Sequence, residues 1–177
     1  MARNIEIKAR IDDFSAMYEK IGLMAEGLPD LIDQDDTFFV CPHGRLKLRT
    51  LAVDRGELIF YQRPDQAGPK PSFYVLTATA DPDGLRNTLT LAYGAAGRVI
   101  KQRTLFMVGQ TRLHLDRVKG LGDYLEFEVV LADNETPEQG IAIAEDLLEK
   151  LHIDRQELID QAYVDLLNAK GKHTRAD

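Results

Sequence analysis

The stretch RNIEIKARI, from Arg3 to Ile11, alternates strictly between polar and apolar side chains. Because successive side chains of a β-strand point to opposite faces, this period of two predicts a strand with one apolar and one charged face. A charged strand face is either a solvated surface or part of a site. The apolar positions are Ile5, Ile7, Ala9 and Ile11, and the polar positions are Asn4, Glu6, Lys8 and Arg10.

The same alternation returns along the chain and predicts further strands. Turn-like glycines at Gly44, Gly56 and Gly109 separate several of these segments, which is typical of antiparallel hairpins. KGLGD also reads as a hairpin turn, because it precedes no helix. The predicted strands are GRLKLRTL, GELIFYQRP, RVIKQRTLFMVG, TRLHLDRV and DYLEFEVVL, with SFYVLTA and the shorter DDTFFV in addition.

Helical spacing fills the gaps between these strands. DDFSAMYEKIGLMAEG follows an aspartate cap, and a second helix begins with Asp81 as its cap. Thr136 and Gln139 form a capping-box pattern for a third helix, and a fourth is predicted to start at Asp154. The sequence therefore predicts an α+β fold, with a large antiparallel sheet or barrel and about four helices.

Composition limits the class of protein. The chain has 177 residues, 44% of them hydrophobic, which suits one domain over residues 1–177 with a frayed tail at 170–177. A net charge of -7 argues against broad nucleic-acid binding. The single cysteine, Cys41, cannot form an internal disulfide, and no apolar run is long enough for a membrane helix. We expect a soluble, cytoplasmic protein.

The charges are segregated by strand. Arg45, Lys47 and Arg49 are all basic, whereas Glu126 and Glu128 are acidic. For any single strand, a solvated face is the better interpretation. If helices cover the outside of a barrel, however, the charged faces must point inward and can enclose a ligand. A basic wall suits a polyphosphate, and carboxylates suit Mg²⁺ or Mn²⁺ bridging to phosphate oxygens.

Several of these segments resemble one known family. NIEIK resembles the E-x-E-x-K signature of the CYTH superfamily, the triphosphate tunnel metalloenzymes, and RLKLR, LDRVKGLGDYLEFEV and AYVDLL resemble further family blocks in the expected order. The resemblance implies an eight-stranded antiparallel β-barrel, or tunnel, flanked by helices, which binds a triphosphate with Mg²⁺ or Mn²⁺. The most similar branch is the class IV adenylyl cyclases; other branches are thiamine triphosphatases and inorganic triphosphatases.

The resemblance also implies roles for individual residues. Lys8 and Arg63 are expected to act in catalysis, and Glu57 is a less certain member of the tunnel. Asn4 stands where the family has its first signature glutamate, which removes one negative charge from the metal site. The expected substrate-binding residues are Lys8, Arg45, Lys47, Arg49, Arg63, Lys101, Arg103 and Arg112, and the expected metal ligands are Glu6, Asp116, Glu126 and Glu128.

Three further residues have two interpretations each. Tyr61 shares a face with Arg63 and suits either phosphate binding or packing. His114 suits a tunnel wall or a plain structural role equally. Tyr163 lies on the apolar side of the predicted last helix, where a packing role is favoured.

The resemblance and the charge pattern together leave three functions to consider. The leading hypothesis is metal-dependent conversion of ATP to cyclic AMP and pyrophosphate. The first alternative is a triphosphatase acting on tripolyphosphate, thiamine triphosphate or a nucleotide, which would use the same wall residues. The second is a non-catalytic module that binds a polyphosphate or nucleotide, and Asn4 motivates it. The expected partner is a nucleoside triphosphate or another triphosphate, with no nucleic acid and no membrane; the resemblance is compatible with a homodimer.

Overall fold

A computed structural model describes residues 2–64 and 68–173 and shows a closed eight-stranded barrel, as predicted. Every neighbouring pair of strands is antiparallel, and the order around the barrel is β1-β5-β4-β3-β2-β6-β7-β8. The strands are β1 (Ala2–Arg10), β2 (Asp30–Phe39), β3 (Arg45–Ala52), β4 (Arg55–Gln62), β5 (Lys70–Thr79), β6 (Ala95–Val108), β7 (Thr111–Val118) and β8 (Gly122–Leu131).

The alternation of β1 sets which face of the barrel is charged. Glu6 pairs with Glu128 of β8, and Lys8 pairs with Glu126, so charged side chains of both strands share the inner face. Ile5 and Ile7 point outward and are buried in the main apolar core. The charged strand faces therefore line the inside of the barrel, and the core lies between the barrel wall and the helices.

Four helices cover the outside, as predicted. They are α1 (Phe14–Gly22), α2 (Pro82–Tyr93), α3 (Pro137–Leu151) and α4 (Tyr163–His173). The aspartate cap of α1, the Asp81 cap of α2 and the capping box of Thr136 and Gln139 all form. The main core packs α1 and α3 against β1, β7 and β8, whereas α4 packs on β6.

The fourth helix does not begin where the sequence predicts. Asp154 caps only a short 3₁₀ turn, Arg155–Glu157, and α4 starts at Tyr163. In between, Leu158 forms a β-bridge with Ala9, and the Ile159 amide donates to the Lys8 carbonyl. Pairing with the end of β1 outweighs helix propensity here and carries the chain across one end of the barrel.

One other boundary differs from the sequence-based expectation. The short strand predicted from DDTFFV belongs to β2, which already begins at Asp30 and ends at Phe39. The expected frayed tail at 170–177 overlaps α4, which is helical to His173, while 174–177 lie outside the described residues, so the tail stays a prediction. None of the described helices combines the length and apolar character needed to cross a membrane.

Candidate functional site

The barrel encloses a cavity of about 430 Å³ whose wall is formed by the inward faces of its strands. Seven cationic and five anionic side chains line it within the described residues, a local excess of positive charge in a chain of net charge -7. Ten of the twelve residues that the sequence singled out for binding, catalysis or metal lie in this wall. They are Glu6, Lys8, Lys47, Arg49, Arg63, Lys101, Arg103, Arg112, Glu126 and Glu128.

The two ends of the cavity differ. The start of α4 closes one end, where Tyr163 is only 6% exposed and its ring lies 4.0 Å from Lys8 Nζ and 5.0 Å from Lys101 Nζ. Leu76 of β5 lines the other end and is 46% exposed. Apolar residues from three more strands line the wall toward this open end, namely Ile32, Leu51 and Leu105.

Basic and acidic strands face each other across the cavity. In the barrel order, β3 and β8 are four strands apart, so Lys47 and Arg49 lie opposite Glu126 and Glu128. Glu126 is nevertheless already engaged: its carboxylate contacts Arg103 and lies 3.3 Å from Lys8 Nζ. The neighbouring cations outweigh burial and hold the pKa of Glu126 well below its usual range.

Asp116 lies beneath the wall at the closed end and is fully buried. It accepts two hydrogen bonds from Arg103 at 2.7 Å, one from Lys101 at 2.9 Å and one from the Tyr163 hydroxyl at 3.0 Å. Burial alone would raise its pKa, but Arg103 and Lys101 lower it. The structure thus gives Asp116 four hydrogen bonds from three residues that hold the closed end together, and its role as a metal ligand stays a prediction.

Arg45 also lies apart from the main cavity. Its guanidinium forms a two-point ion pair with Asp165 of α4, at 3.2 and 2.7 Å, and lines a neighbouring cavity. This contact ties the start of α4 to β3. Binding of substrate by Arg45 remains a prediction.

Sequence reasoning missed Asp36, which lies inside β2 and is 2% exposed. Its carboxylate accepts from Lys47 at 2.8 Å and from two Arg49 nitrogens at 2.9 Å each. Although burial opposes it, the attraction of Lys47 and Arg49 lowers the Asp36 pKa. The available signal was the alternation Ile32, Gln34, Asp36, Phe38, which becomes visible only when β2 starts before Asp35.

All three lysines in the described part of the wall, Lys8, Lys47 and Lys101, have lowered pKa values, with burial as the largest cause. Burial lowers the pKa of Lys8 to about 8, with Glu126 opposing the shift. Burial, followed by Arg49, lowers the pKa of Lys47 to about 8. The ammonium groups of Lys8 and Lys47 are therefore charged at neutral pH and lose that charge within a pH range that is easily reached.

Glu6 and Glu128 form a pair of acids across β1 and β8. Burial and the neighbouring Glu128 raise the pKa of Glu6, and Arg63 at 3.8 Å only partly compensates. Glu128 lies 3.0 Å from Arg112 Nε. Although burial opposes it, the positive charge of Arg103 and Arg112 contributes to lowering the pKa of Glu128. Glu6 is therefore the carboxylate with incomplete compensation, and a cation beside it would be favourable.

Several buried polar atoms of the wall have no hydrogen-bond partner among the described residues, and two of them bear on metal binding at this pair. They are Oδ1 of Asn4, which is 2% exposed, and Nδ1 of His114, which is 4% exposed. His114 Nδ1 lies 3.9 Å from a Glu128 oxygen. Burial and Arg103 lower the His114 pKa to about 4, so its imidazole is neutral at physiological pH. Both residues line the cavity, as do Tyr61 and Glu57.

These donors suit a divalent ion, provided that the side chains move closer together and a substrate completes the set of ligands. Within residues 2–64 and 68–173, no three His, Cys, Asp or Glu side chains are already grouped closely enough to hold a metal. Glu6, Glu128, His114 and the Asn4 carbonyl nevertheless offer ligand atoms on three adjacent strands, β7, β8 and β1. Phosphate oxygens of a substrate would supply the remaining ligands.

Comparisons with known proteins agree with this architecture. Among solved structures, PH1012 protein from Pyrococcus horikoshii is 25% identical, with 92% of this chain and 98% of that chain covered and a TM-score of 0.81. A proposed adenylate cyclase from Vibrio parahaemolyticus is 20% identical over 93% and 97% of the two chains, with a TM-score of 0.74. The latter likeness shows the fold alone.

A third structure has a mixed description. HpAC1 from Hippeastrum, described as a proposed adenylyl cyclase with a dominant triphosphatase activity, is 14% identical, covers 96% of each chain and has a TM-score of 0.65. A comparison with curated proteins gives no match. The model of the CYTH domain matches residues 2–163, nearly the whole chain, and with the closed barrel and its charged interior this shows that the chain belongs to the CYTH domain family.

Proposed function

We propose that this chain is a metal-dependent adenylyl cyclase, which converts ATP to cyclic AMP and pyrophosphate inside the barrel. The observation that carries the proposal is the order of charges along the cavity. Lys8, Lys47 and Lys101 lie toward the end closed by Tyr163, whereas Glu6 and Glu128 lie toward the open end. A triphosphate that enters tail first would place its α-phosphate beside the carboxylates.

The closed-end cations hold the β- and γ-phosphates in this proposal. Arg49 and Arg103 offer planar guanidinium groups suited to two-point contact with phosphate oxygens, and the lysines add point charge. Their carboxylate partners Asp36 and Asp116 keep these side chains in place before substrate arrives. The barrier is lowered by positioning and by charge that is already arranged.

The reaction requires an in-line displacement at the α-phosphorus. The ribose 3′-oxygen forms a bond to phosphorus, the bond from phosphorus to the α,β-bridging oxygen breaks, and the hydroxyl proton passes to water. Arg63 and Arg112 lie in the wall near Glu6 and Glu128 and would neutralise charge on the α-phosphate. A divalent ion held by Glu6 and Glu128 would lower the pKa of the attacking hydroxyl and neutralise the charge on the leaving group.

Glu126 and Asp116 have a different part in this proposal. Both are already occupied by buried cations, Glu126 by Lys8 and Arg103 and Asp116 by Lys101 and Arg103. Removing them from those partners would leave uncompensated charges in the wall, which is costly. We therefore place the ion at Glu6, whose cationic neighbour Arg63 is 3.8 Å away, and at Glu128, whose partner Arg112 is 31% exposed and so less costly to separate from it.

The open end supports a substrate with an organic group. Ile32, Leu51, Leu76 and Leu105 form an apolar lining there, and Tyr74 lies in the same wall. An inorganic tripolyphosphate would leave this surface without a partner. A nucleoside would cover it, which favours a nucleotide over tripolyphosphate.

A triphosphatase reaction is the second candidate, and one observation favours it. Glu126 lies among the closed-end cations, where the γ-phosphate would sit, and could orient a water molecule toward that phosphorus. A binding module without turnover is the third, because Asn4 removes one carboxylate from the proposed metal site.

Chromatographic analysis of the reaction products distinguishes the three candidate functions. The purified protein is incubated with Mg²⁺ or Mn²⁺ and, in separate reactions, with ATP, tripolyphosphate and thiamine triphosphate. We expect cyclic AMP and pyrophosphate from ATP, and their loss in Glu128→Gln, which keeps the size of the side chain but removes its charge. Orthophosphate as the main product would identify a triphosphatase, and binding without any product would identify a binding module.

A further inference from the structure

The described wall contains one histidine, His114, and nothing in the cyclase step uses it. It lies on β7, with its Cα paired to Glu126 and its Nδ1 atom 3.9 Å from Glu128 Oε1. That separation is too long for a hydrogen bond. A buried imidazole nitrogen without a partner is costly, so its position beside the carboxylate pair requires an explanation.

We propose that His114 is a direct nitrogen ligand of the divalent ion in this cavity, together with Glu6 and Glu128, and that it gives the site a preference for a first-row transition ion such as Mn²⁺ over Mg²⁺. The proposal rests on the proposed metal-dependent function and names the ion it uses. It is independent of whether the reaction is cyclisation or hydrolysis.

Geometry supports the assignment from three adjacent strands. Glu6 on β1 is paired across the sheet with Glu128 on β8, and His114 on β7 lies diagonally beside Glu128. All three side chains line the same cavity. His114 Nδ1 is already 3.9 Å from the Glu128 oxygen. The three side chains are not yet grouped closely enough to hold an ion among the described residues, so binding requires side-chain rotation that brings Glu6 to this pair.

Asn4 adds a second unpartnered atom to the same place. Its Oδ1 atom is buried and has no hydrogen-bond partner among the described residues, and Asn4 is two residues from Glu6 on the inner face of β1. An amide oxygen is a neutral ligand, so this set carries two negative charges from Glu6 and Glu128 and one nitrogen. The number of buried polar atoms left without partners falls when an ion is bound.

The chemistry of the donors decides which ion is preferred. Mg²⁺ favours an all-oxygen octahedral shell and gives up its water reluctantly, whereas imidazole is a good ligand for first-row transition ions. Replacing one oxygen ligand by nitrogen therefore weakens Mg²⁺ relative to Mn²⁺. Removing the imidazole should reduce Mn²⁺ affinity by about tenfold or more, and Mg²⁺ affinity much less.

Electron spin-echo spectroscopy of bound Mn²⁺ tests the proposal directly. The protein is frozen with substoichiometric Mn²⁺ and inorganic pyrophosphate, an anion that contains no nitrogen. We expect modulation from a directly coordinated ¹⁴N nucleus, which becomes a ¹⁵N signal in protein grown with ¹⁵N-histidine. The labelled wild type needs no substitution, so the result does not depend on a variant that folds.

Two variants complete the experiment. His114→Gln should lose the nitrogen signal and bind Mn²⁺ about tenfold more weakly by calorimetry, with a smaller change for Mg²⁺. His43→Gln removes an exposed imidazole in a turn and should leave both measurements unchanged. Bound Mn²⁺ without a histidine nitrogen signal would overturn the proposal and leave the metal-dependent function in place. No Mn²⁺ binding at all would overturn both.

Discussion

At the scale of single residues, Asp35 and Asp36 show how strongly the side of a strand determines a role. Asp35 points outward and forms an ion pair with the exposed Arg98. Asp36 points into the barrel, where it is 2% exposed and binds both Lys47 and Arg49. The two carboxylates are chemically identical and adjacent, which makes them a matched pair for mutation.

We expect Asp36→Asn to destabilise the protein by about 3–5 kcal/mol without ligand, because it leaves two buried cations uncompensated. The same change should strengthen tripolyphosphate binding, because Lys47 and Arg49 no longer have an internal partner to exchange for the anion. Urea unfolding with and without tripolyphosphate measures both effects.

Asp35→Asn is the control, and it should cost at most about 1 kcal/mol, as expected for an exposed ion pair. If Asp36→Asn were no more destabilising than this control, Asp36 would not be the internal counter-charge of the basic strand.

Asn4 gives a second prediction at this scale. Asn4→Glu would place a third carboxylate beside Glu6 and Glu128 in a buried position. In EDTA the variant should melt at a lower temperature than wild type, because like charges repel at low solvent exposure. Saturating Mn²⁺ should restore the melting temperature of the variant to that of wild type. The Mn²⁺ affinity measured by calorimetry should rise by about tenfold, which is about 1.4 kcal/mol.

Asn4→Gln, which adds length but no charge, separates charge from crowding. Equal Mn²⁺ affinities for the Glu and Gln variants would show that position 4 does not contact the ion.

At the scale of elements, the helix α3 contacts the barrel through a glycine. A Cβ atom on Gly140 would lie 2.6 Å from Leu131 Cδ2 and 2.7 Å from Ile5 Cγ1, which is closer than packed atoms allow. Both neighbours belong to the main core, between α3 and the strands β8 and β1. The glycine therefore sets how closely this helix approaches the outer face of the strand that carries Glu6 and Lys8.

We expect Gly140→Ala to be destabilising although alanine is the better helix former. The gain in helix propensity is about 1 kcal/mol, and overpacking of a filled core costs about 1–3 kcal/mol. Gly171→Ala in α4 is the matched control, because nothing lies within 4 Å of its added methyl group, and it should be neutral or stabilising. Thermal unfolding of both variants gives the comparison, and a stabilised Gly140→Ala would show that α3 can move away from the barrel.

The elements also show what the sequence can and cannot predict. The alternation of Asn4, Glu6 and Lys8 and the caps at Asp81 and Thr136 are local signals, and the structure confirms the strand and helices that they predict. The start of α4 is not local. Residues 158–162 leave the helical pattern because the chain pairs with the end of β1, a contact between positions about 150 residues apart in sequence.

At the scale of the whole molecule, the acids and bases of the cavity wall form specific ion pairs that the sequence alone does not predict. The family resemblance selected twelve candidate residues, and ten of them lie in one cavity wall because strand alternation determines the face on which a side chain lies. Alternation could not determine which acids pair with which bases, since those contacts depend on the order of strands around the barrel. Asp116 and Asp36 became internal partners of basic residues for that reason.

The charge balance of the whole cavity leads to a prediction about pH. Burial lowers the pKa values of Lys8 and Lys47 to about 8, so both ammonium groups are charged at pH 7 and mostly neutral at pH 9. The part of the affinity for tripolyphosphate that depends on these two positive charges is present below about pH 8 and is lost as the pH rises above it. We expect calorimetry in EDTA to show tripolyphosphate binding at least about tenfold weaker at pH 9 than at pH 7.

Lys47→Arg isolates the contribution of Lys47 from that of Lys8 and from the ionisation of the anion, because arginine remains charged throughout this range. Its affinity should fall less than that of wild type between pH 7 and pH 9, while the two proteins bind similarly at pH 7. Parallel losses in wild type and variant would assign the pH dependence to groups other than Lys47, such as Lys8, and the weakened basicity of Lys47 would then have no part in binding. A smaller loss in the variant would show that a lysine buried in a crowded positive wall sets the upper pH limit of the cavity.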